Sequence, residues 1–152
     1  TEQAVPSRKP TLYLVSTAHL DTQWNWTVQD TIRQFIPNTF RTNFRYLEQY
    51  PDYVFTWEGA IHYMWFKEYY PEAWPTLQKY VAQGRWTIAG NWINAVDVNV
   101  PSPESLMRHA LYAKRFFREQ FGHLRSFVAA ELREHCLEGL DRRRLIAGAL
   151  GR

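Results

Sequence analysis

Hydrophobic and polar residues alternate in blocks along this chain, and the order of the blocks predicts its fold. Three short β-rich runs, at residues 11–17, 53–57 and 85–90, each end where a polar loop begins. Between them lie stretches whose apolar residues recur at helical spacing. Strands and helices that alternate in this way form βαβ units around a parallel sheet. The predicted fold class is therefore α/β, with a partial parallel sheet whose first strand is buried.

The predicted helices have recognisable ends. Thr27 or Asp30 can cap a helix that begins near residue 28, and Pro37 is expected to interrupt that helix. Pro37 is then tolerated in the first turn of the second helix. Ser102 is expected to cap a long helix that stops at Gly122. After the first helix, the predicted helices cover 39–49, 60–70, 72–83 and 103–120.

The composition changes after the long helix. Every Trp lies at or before Trp92, and residues 124–152 contain one aromatic side chain, Phe127. Apolar residues every four positions predict an amphipathic helix over about 128–147. We therefore divide the chain into residues 1–123 and a tail, 124–152. A shifted reading frame and a variant end of the domain both explain this tail.

Composition and charge exclude several classes of protein. The chain is 45% hydrophobic and 22% charged, and it has no apolar run long enough to span a bilayer. Its net charge is +3, but the basic residues are scattered apart from Arg142, Arg143 and Arg144, which disfavours nucleic-acid binding. The single cysteine, Cys136, excludes an internal disulfide and a cysteine-based zinc site. Nothing in the sequence indicates a compartment.

Polar side chains with the chemistry of a metal site follow the first strand. His19 and Asp21 are two residues apart, so in an extended backbone their side chains point the same way. An imidazole nitrogen and a carboxylate oxygen make half of a zinc site. Trp24 and Trp26 follow, and indole faces suit the apolar face of a sugar ring. The alternative is a loop histidine beside an aspartate that caps the next helix.

The other two strands also end in polar residues. Glu58 follows the second strand, and Asn91 and Asp97 follow the third. The carboxyl ends of parallel strands share one edge of a sheet, where binding sites gather. We therefore expect a shared pocket there, although Glu58 and Asp97 could equally be ordinary loop acids.

Two ordered segments carry a family resemblance. Residues 16–26, Ser-Thr-Ala-His-Leu-Asp-Thr-Gln-Trp-Asn-Trp, and residues 90–108 resemble segments of the family 38 glycoside hydrolases, the retaining, zinc-dependent α-mannosidases. The resemblance covers about 10–123 and implies the N-terminal part of a (β/α)7-type catalytic domain acting on α-linked mannose in glycans. It implies that His19 and Asp21 bind zinc and that Trp24 packs against the mannose ring. Asp97, in the second segment, is a further substrate-binding candidate.

The same resemblance shows what this sequence lacks. The family's nucleophile, which is also a metal ligand, lies in an Asp-x-Phe-Gly motif on the strand after the long helix, and a further histidine ligand lies far downstream. Residues 119–122, Glu-Gln-Phe-Gly, are similar only superficially, because they complete a helix. We therefore expect this chain by itself to be inactive. A non-catalytic carbohydrate-binding module is the alternative function. A sheet of only three strands would also leave an apolar edge unpaired.

Overall fold

The computed structural model describes residues 12, 14–89, 92–97 and 99–122, and these form a mixed α/β fold. Three parallel strands make one sheet in the order β1-β2-β3, and Thr56 of the central strand pairs with Thr17 and Thr87. The predicted parallel sheet is thus confirmed. The tail at 124–152 and its predicted helix lie outside the described residues. The strands are β1 (Ser16–Ala18), β2 (Phe55–Trp57) and β3 (Trp86–Ile88).

The helices follow the predicted order. The long helix α5 begins after Ser102, whose Oγ accepts a hydrogen bond from the backbone N–H of Ser105, and ends at Gly122 with φ of 75°. No helix in the described part of the chain combines the length and apolar character that a membrane crossing needs. The helices are α1 (Val28–Asp30), α2 (Ile36–Gln49), α3 (Ala60–Tyr69), α4 (Trp74–Ala82) and α5 (Pro103–Phe121), with a 3-10 turn at Pro71–Ala73.

Pro37 lies in the first turn of α2, as predicted, but the predicted break between the first two helices is wrong. A π-helical segment, Thr31–Phe35, joins α1 directly to α2. The backbone N–H of Ile36 bonds to the carbonyl of Thr31, five residues earlier, just before the proline. A proline ring clashes with the carbonyl four residues before it and cannot donate a hydrogen bond. The wider π-turn accommodates that ring without ending the helix.

The first strand is shorter and more exposed than predicted. Strand β1 begins at Ser16 rather than residue 11, and Leu14 and Val15 before it are 85% and 63% exposed. Within the described residues, β1 pairs only with β2, so its outer edge has no neighbour. The prediction of a buried strand over 11–17 is therefore wrong, because an apolar run is buried only where another layer covers it.

Aromatic side chains fill the core between the sheet and the helices. The ring of Phe40 on α2 stacks on Trp86 of β3 at 5.0 Å and on Phe66 of α3 at 3.5 Å between centroids. Trp86 Nε1 donates to the Tyr63 hydroxyl, which donates to the backbone carbonyl of Trp57. Aromatic pairs contribute about 0.5–1.5 kcal/mol beyond the area they bury. This packing fixes the sheet, and therefore the position of the strand ends.

Candidate functional site

Loops from all three strand ends are bonded to one another. His19, after β1, contacts Glu58, after β2, through side chains 3.1 Å apart. The first backbone N–H groups of α3, which follows β2, bond to carbonyls of the loop after β3. Asn94 of that loop donates through Nδ2 to Thr22 Oγ1 after β1, at 3.2 Å. The three strand ends therefore share one edge of the sheet, and the shared pocket expected there stays a prediction.

His19 lies between two carboxylates. Its Nδ1 is 3.1 Å from Glu58 Oε1, and its Nε2 is 3.3 Å from Asp21 Oδ1. Partial burial acts to lower the pKa of His19, but the hydrogen bonds to Glu58 and Asp21 and the charges of both carboxylates outweigh burial and raise that pKa above 6.5. His19 and Asp21 thus converge on one side of the strand end, as their spacing predicts.

A sharp turn after β2 brings Glu58 to this edge. Gly59, with φ of 78°, adopts a left-handed conformation that favours glycine, and α3 begins at the next residue. A Cβ at Gly59 would lie 2.7 Å from Nδ1 of His62, so there is also no room for a side chain at this position. The Glu58 side chain is only 26% exposed, against 63% for that of His19. Glu58 is therefore held in place more firmly than a free loop acid.

His62 lies beneath the site, and no motif in the sequence predicted a role for it. It is 2% exposed, and its ring stacks on Trp57 at 5.1 Å between centroids. Neither ring nitrogen has a hydrogen-bond partner among the described residues. Burial lowers the pKa of His62 to about 4, so this ring is neutral at pH 7. Glu58 and Gly59 precede α3, so no helical spacing in the sequence connected His62 with Glu58.

The loop after β1 is anchored by the π-helical segment. Thr31, which is fully buried, donates through Oγ1 to the backbone carbonyl of Thr22 at 2.9 Å and accepts from Trp26 Nε1 at 2.8 Å. Thr27 and Asp30 form a capping box at the start of α1. Trp26 therefore helps to fix the loop that carries Asp21, rather than presenting a free indole.

The remaining predicted site residues lie in different surroundings. Trp24 is 69% exposed, so its ring is open to solvent. Asp97 is exposed, and its Oδ1 accepts hydrogen bonds from the backbone and side-chain N–H groups of Asn99 in the same loop. Asn91 lies outside the described residues. Glu119 lies within α5 and pairs with Arg115, which agrees with its interpretation as part of a helix end.

Comparison with known proteins identifies the family. Residues 9–129 match the family model of the glycosyl hydrolases family 38 N-terminal domain, and the chain belongs to this family. It is 35% identical over 112 residues to alpha-mannosidase G of Dictyostelium discoideum, which is 73% of this chain and 10% of that protein. It is 28% identical over 115 residues to alpha-mannosidase 2C1 of Homo sapiens, which is 75% of this chain and 11% of that protein.

A third relative shows the same proportions. The chain is 29% identical over 113 residues to an alpha-mannosidase of Saccharomyces cerevisiae, which is 73% of this chain and 10% of that protein. The chain thus spans about a tenth of the length of the relatives it matches. The family match extends from residue 9 to residue 129, against about 10–123 for the resemblance noted in the sequence.

Proposed function

We propose that this chain contributes the first part of a zinc site in an α-mannosidase-type glycoside hydrolase acting on α-linked mannose in glycans. The observation that carries the proposal is the convergence of His19 Nε2 and Asp21 Oδ1, 3.3 Å apart, at the strand-end edge of a family 38 chain. The names of the relatives support mannose-containing substrates.

The donor atoms present fit part of a zinc site. Nitrogen and oxygen ligands held tetrahedrally about 2.1 Å from one ion lie about 3.4 Å apart, close to the observed separation. Among the described residues, no group of three His, Cys, Asp or Glu side chains is arranged to hold a metal ion. His19 and Asp21 would therefore hold zinc as an incomplete set. When bound, zinc would supply positive charge that stabilises sugar hydroxyl oxygens.

The substrate-binding role falls to Trp24 and Asp97. An exposed indole offers an apolar face to a sugar ring, and Trp24 is 69% exposed on the loop that carries Asp21. The carboxylate of Asp97 can accept hydrogen bonds from sugar hydroxyls, although Asn99 already occupies one oxygen. We place the mannose ring against Trp24.

The proposed chemistry needs a nucleophilic carboxylate in addition to the zinc ligands. A retaining glycosidase uses one carboxylate as nucleophile and another as acid and base. The sequence has no Asp-x-Phe-Gly motif, and the similar residues 119–122 include the end of α5. We therefore propose that this chain alone does not hydrolyse mannosides.

The three-stranded sheet is proposed as part of a (β/α)7-type domain. Within the described residues, the outer edge of β1 has no partner, and Leu12 and Leu14 beside it are 81% and 85% exposed. An apolar, unpaired edge of this kind favours a further parallel strand alongside β1.

The test combines hydrolysis and binding. Purified chain with added zinc should not hydrolyse an aryl α-mannoside, and turnover abolished by His19→Ala would overturn the proposed inactivity. A mannose oligosaccharide should bind more weakly to Trp24→Ala than to the control Tyr69→Ala, which removes another exposed aromatic ring. If the affinity for the oligosaccharide does not change when zinc is removed or when His19 is replaced by Ala, a carbohydrate-binding module would be favoured instead.

A further inference from the structure

We propose that Glu58 is a positioning residue for His19: its carboxylate accepts a hydrogen bond from Nδ1 and leaves Nε2 as the metal-binding nitrogen. The observation is the 3.1 Å separation between Glu58 Oε1 and His19 Nδ1. This inference rests on the metal-binding role proposed above for His19 and Asp21. It adds a residue to the site that lies outside the family-like segments at 16–26 and 90–108.

Both ring nitrogens of His19 face a carboxylate: Glu58 Oε1 lies 3.1 Å from Nδ1, and Asp21 Oδ1 lies 3.3 Å from Nε2. We place the proton of the neutral ring on Nδ1, beside the nearer and less exposed carboxylate. A neutral imidazole carries one N–H, and an ionised carboxylate can only accept a hydrogen bond. With the proton on Nδ1, Glu58 accepts it, and the Nε2 lone pair is directed towards the side where Asp21 lies. Without Glu58, the proton would move to Nε2 and bond to Asp21, which would block the nitrogen that a metal needs. Metal-binding histidines usually have such a carboxylate or carbonyl on the other nitrogen.

The backbone around Glu58 is suited to hold it still. Trp57, the residue before it, pairs with Ala18 of β1 and Ile88 of β3 in the centre of the sheet. After it, the N–H groups of Ala60 and Ile61 bond to carbonyls of the β3 loop at 3.1 and 2.9 Å. A supporting residue on a rigid element orients its partner more accurately than one on a free loop.

Glu58 does not replace the missing ligands. It lies against Nδ1 of His19, whereas Asp21 lies against Nε2, so the two carboxylates meet different edges of the ring. An ion shared by His19 Nε2 and Asp21 would therefore face away from the Glu58 contact. The described residues also contain no three-residue group arranged for a metal. Glu58 consequently acts through His19.

Calorimetric zinc titration of the full chain tests the effect on binding. Glu58→Ala should weaken zinc binding roughly 10–100-fold, as is usual when such a supporting carboxylate is lost. Glu58→Gln should reduce zinc affinity less than Glu58→Ala does, because an amide oxygen still accepts a hydrogen bond from Nδ1 of His19. Glu68→Gln on the exposed face of α3 is the matched control and should bind zinc like the parent chain. A loss in Glu58→Ala as large as in His19→Ala would make Glu58 a direct ligand and overturn the proposal.

Nitrogen NMR of the metal-free chain tests the tautomer directly. At alkaline pH, where the ring is neutral, His19 should carry its proton on Nδ1, and Glu58→Ala should shift it to Nε2. An Nε2–H tautomer in the parent chain, or a tautomer unchanged by Glu58→Ala, would overturn the proposal. This readout needs no zinc. If His19→Ala leaves zinc affinity unchanged, the metal-binding part of the proposed function fails, whereas the tautomer still decides the role of Glu58.

Discussion

Trp57 and Trp24 mark two regions of this molecule with opposite physical character. Trp57 is fully buried in the aromatic core, whereas Trp24, on the loop after β1, is 69% exposed. The core gains its stability from burial, but the strand-end site keeps His19, Asp21 and Trp24 open to solvent. The two regions meet at Glu58, which directly follows Trp57. A rigid core thus presents an exposed polar edge, and residues at the boundary couple the two.

The largest expected effect is the difference in stability between the variants Trp57→Ala and Trp24→Ala. Trp57→Ala should reduce the free energy of unfolding by about 3–5 kcal/mol, because it empties a fully buried site. Trp24→Ala should change it by less than about 0.5 kcal/mol, because exposed side chains contribute little. Urea denaturation followed by circular dichroism measures both. Equal losses in the two variants would mean that Trp24 is also part of the core.

The next effect concerns the buried histidine beneath the site. Because burial lowers the pKa of His62 to about 4, the folded chain keeps it neutral, while the unfolded chain takes up a proton below about 6.5. Its contribution to stability is full above pH 6.5 and is lost as pH falls towards 4. A pKa lowered from 6.5 to about 4 corresponds to a contribution of about 3 kcal/mol to the free energy of unfolding.

The variant His62→Gln isolates this effect from the other acid-sensitive groups. The difference in unfolding free energy between parent and variant should narrow as pH falls from 6.5 towards 4. Denaturant titrations across that pH range measure it. A difference that is independent of pH would show that His62 does not titrate in this way.

The smallest effect tests the turn that joins the core to the site. Gly59→Ala should reduce the free energy of unfolding by about 1–3 kcal/mol. The backbone at this position is left-handed, and the added Cβ would lie only 2.7 Å from His62 Nδ1. Gly84→Ala is the matched control: φ is 69° there, but the added methyl group meets open space, so only about 1 kcal/mol is expected. Thermal unfolding compares the two variants. Equal losses of stability would contradict the close contact between a Cβ at Gly59 and His62.

The local pattern was sufficient for some features because their causes are local. Alternating runs predicted three parallel strands, and the spacing of His19 and Asp21 predicted that their side chains converge. Ser102 and Gly122 predicted the ends of α5, because capping depends on a few neighbouring residues. The motif around His19 also indicated the family that the comparison identified.

Other features depend on contacts between residues distant in sequence. Leu14 is as apolar as a buried strand residue, yet it is 85% exposed, because burial depends on what packs alongside. Pro37 looked like a break, but the π-turn before it keeps the helix continuous. The contact between Glu58 and His19 joins residues that are 39 positions apart in the sequence. His62 lies beneath the site because it is in the first turn of α3, which begins directly after the turn at Gly59. The sequence alone determined the class of fold and the metal-binding candidates His19 and Asp21. The tertiary structure decided which side chains surround these two residues, because the sheet and its turns set the distances between residues that are far apart in the sequence.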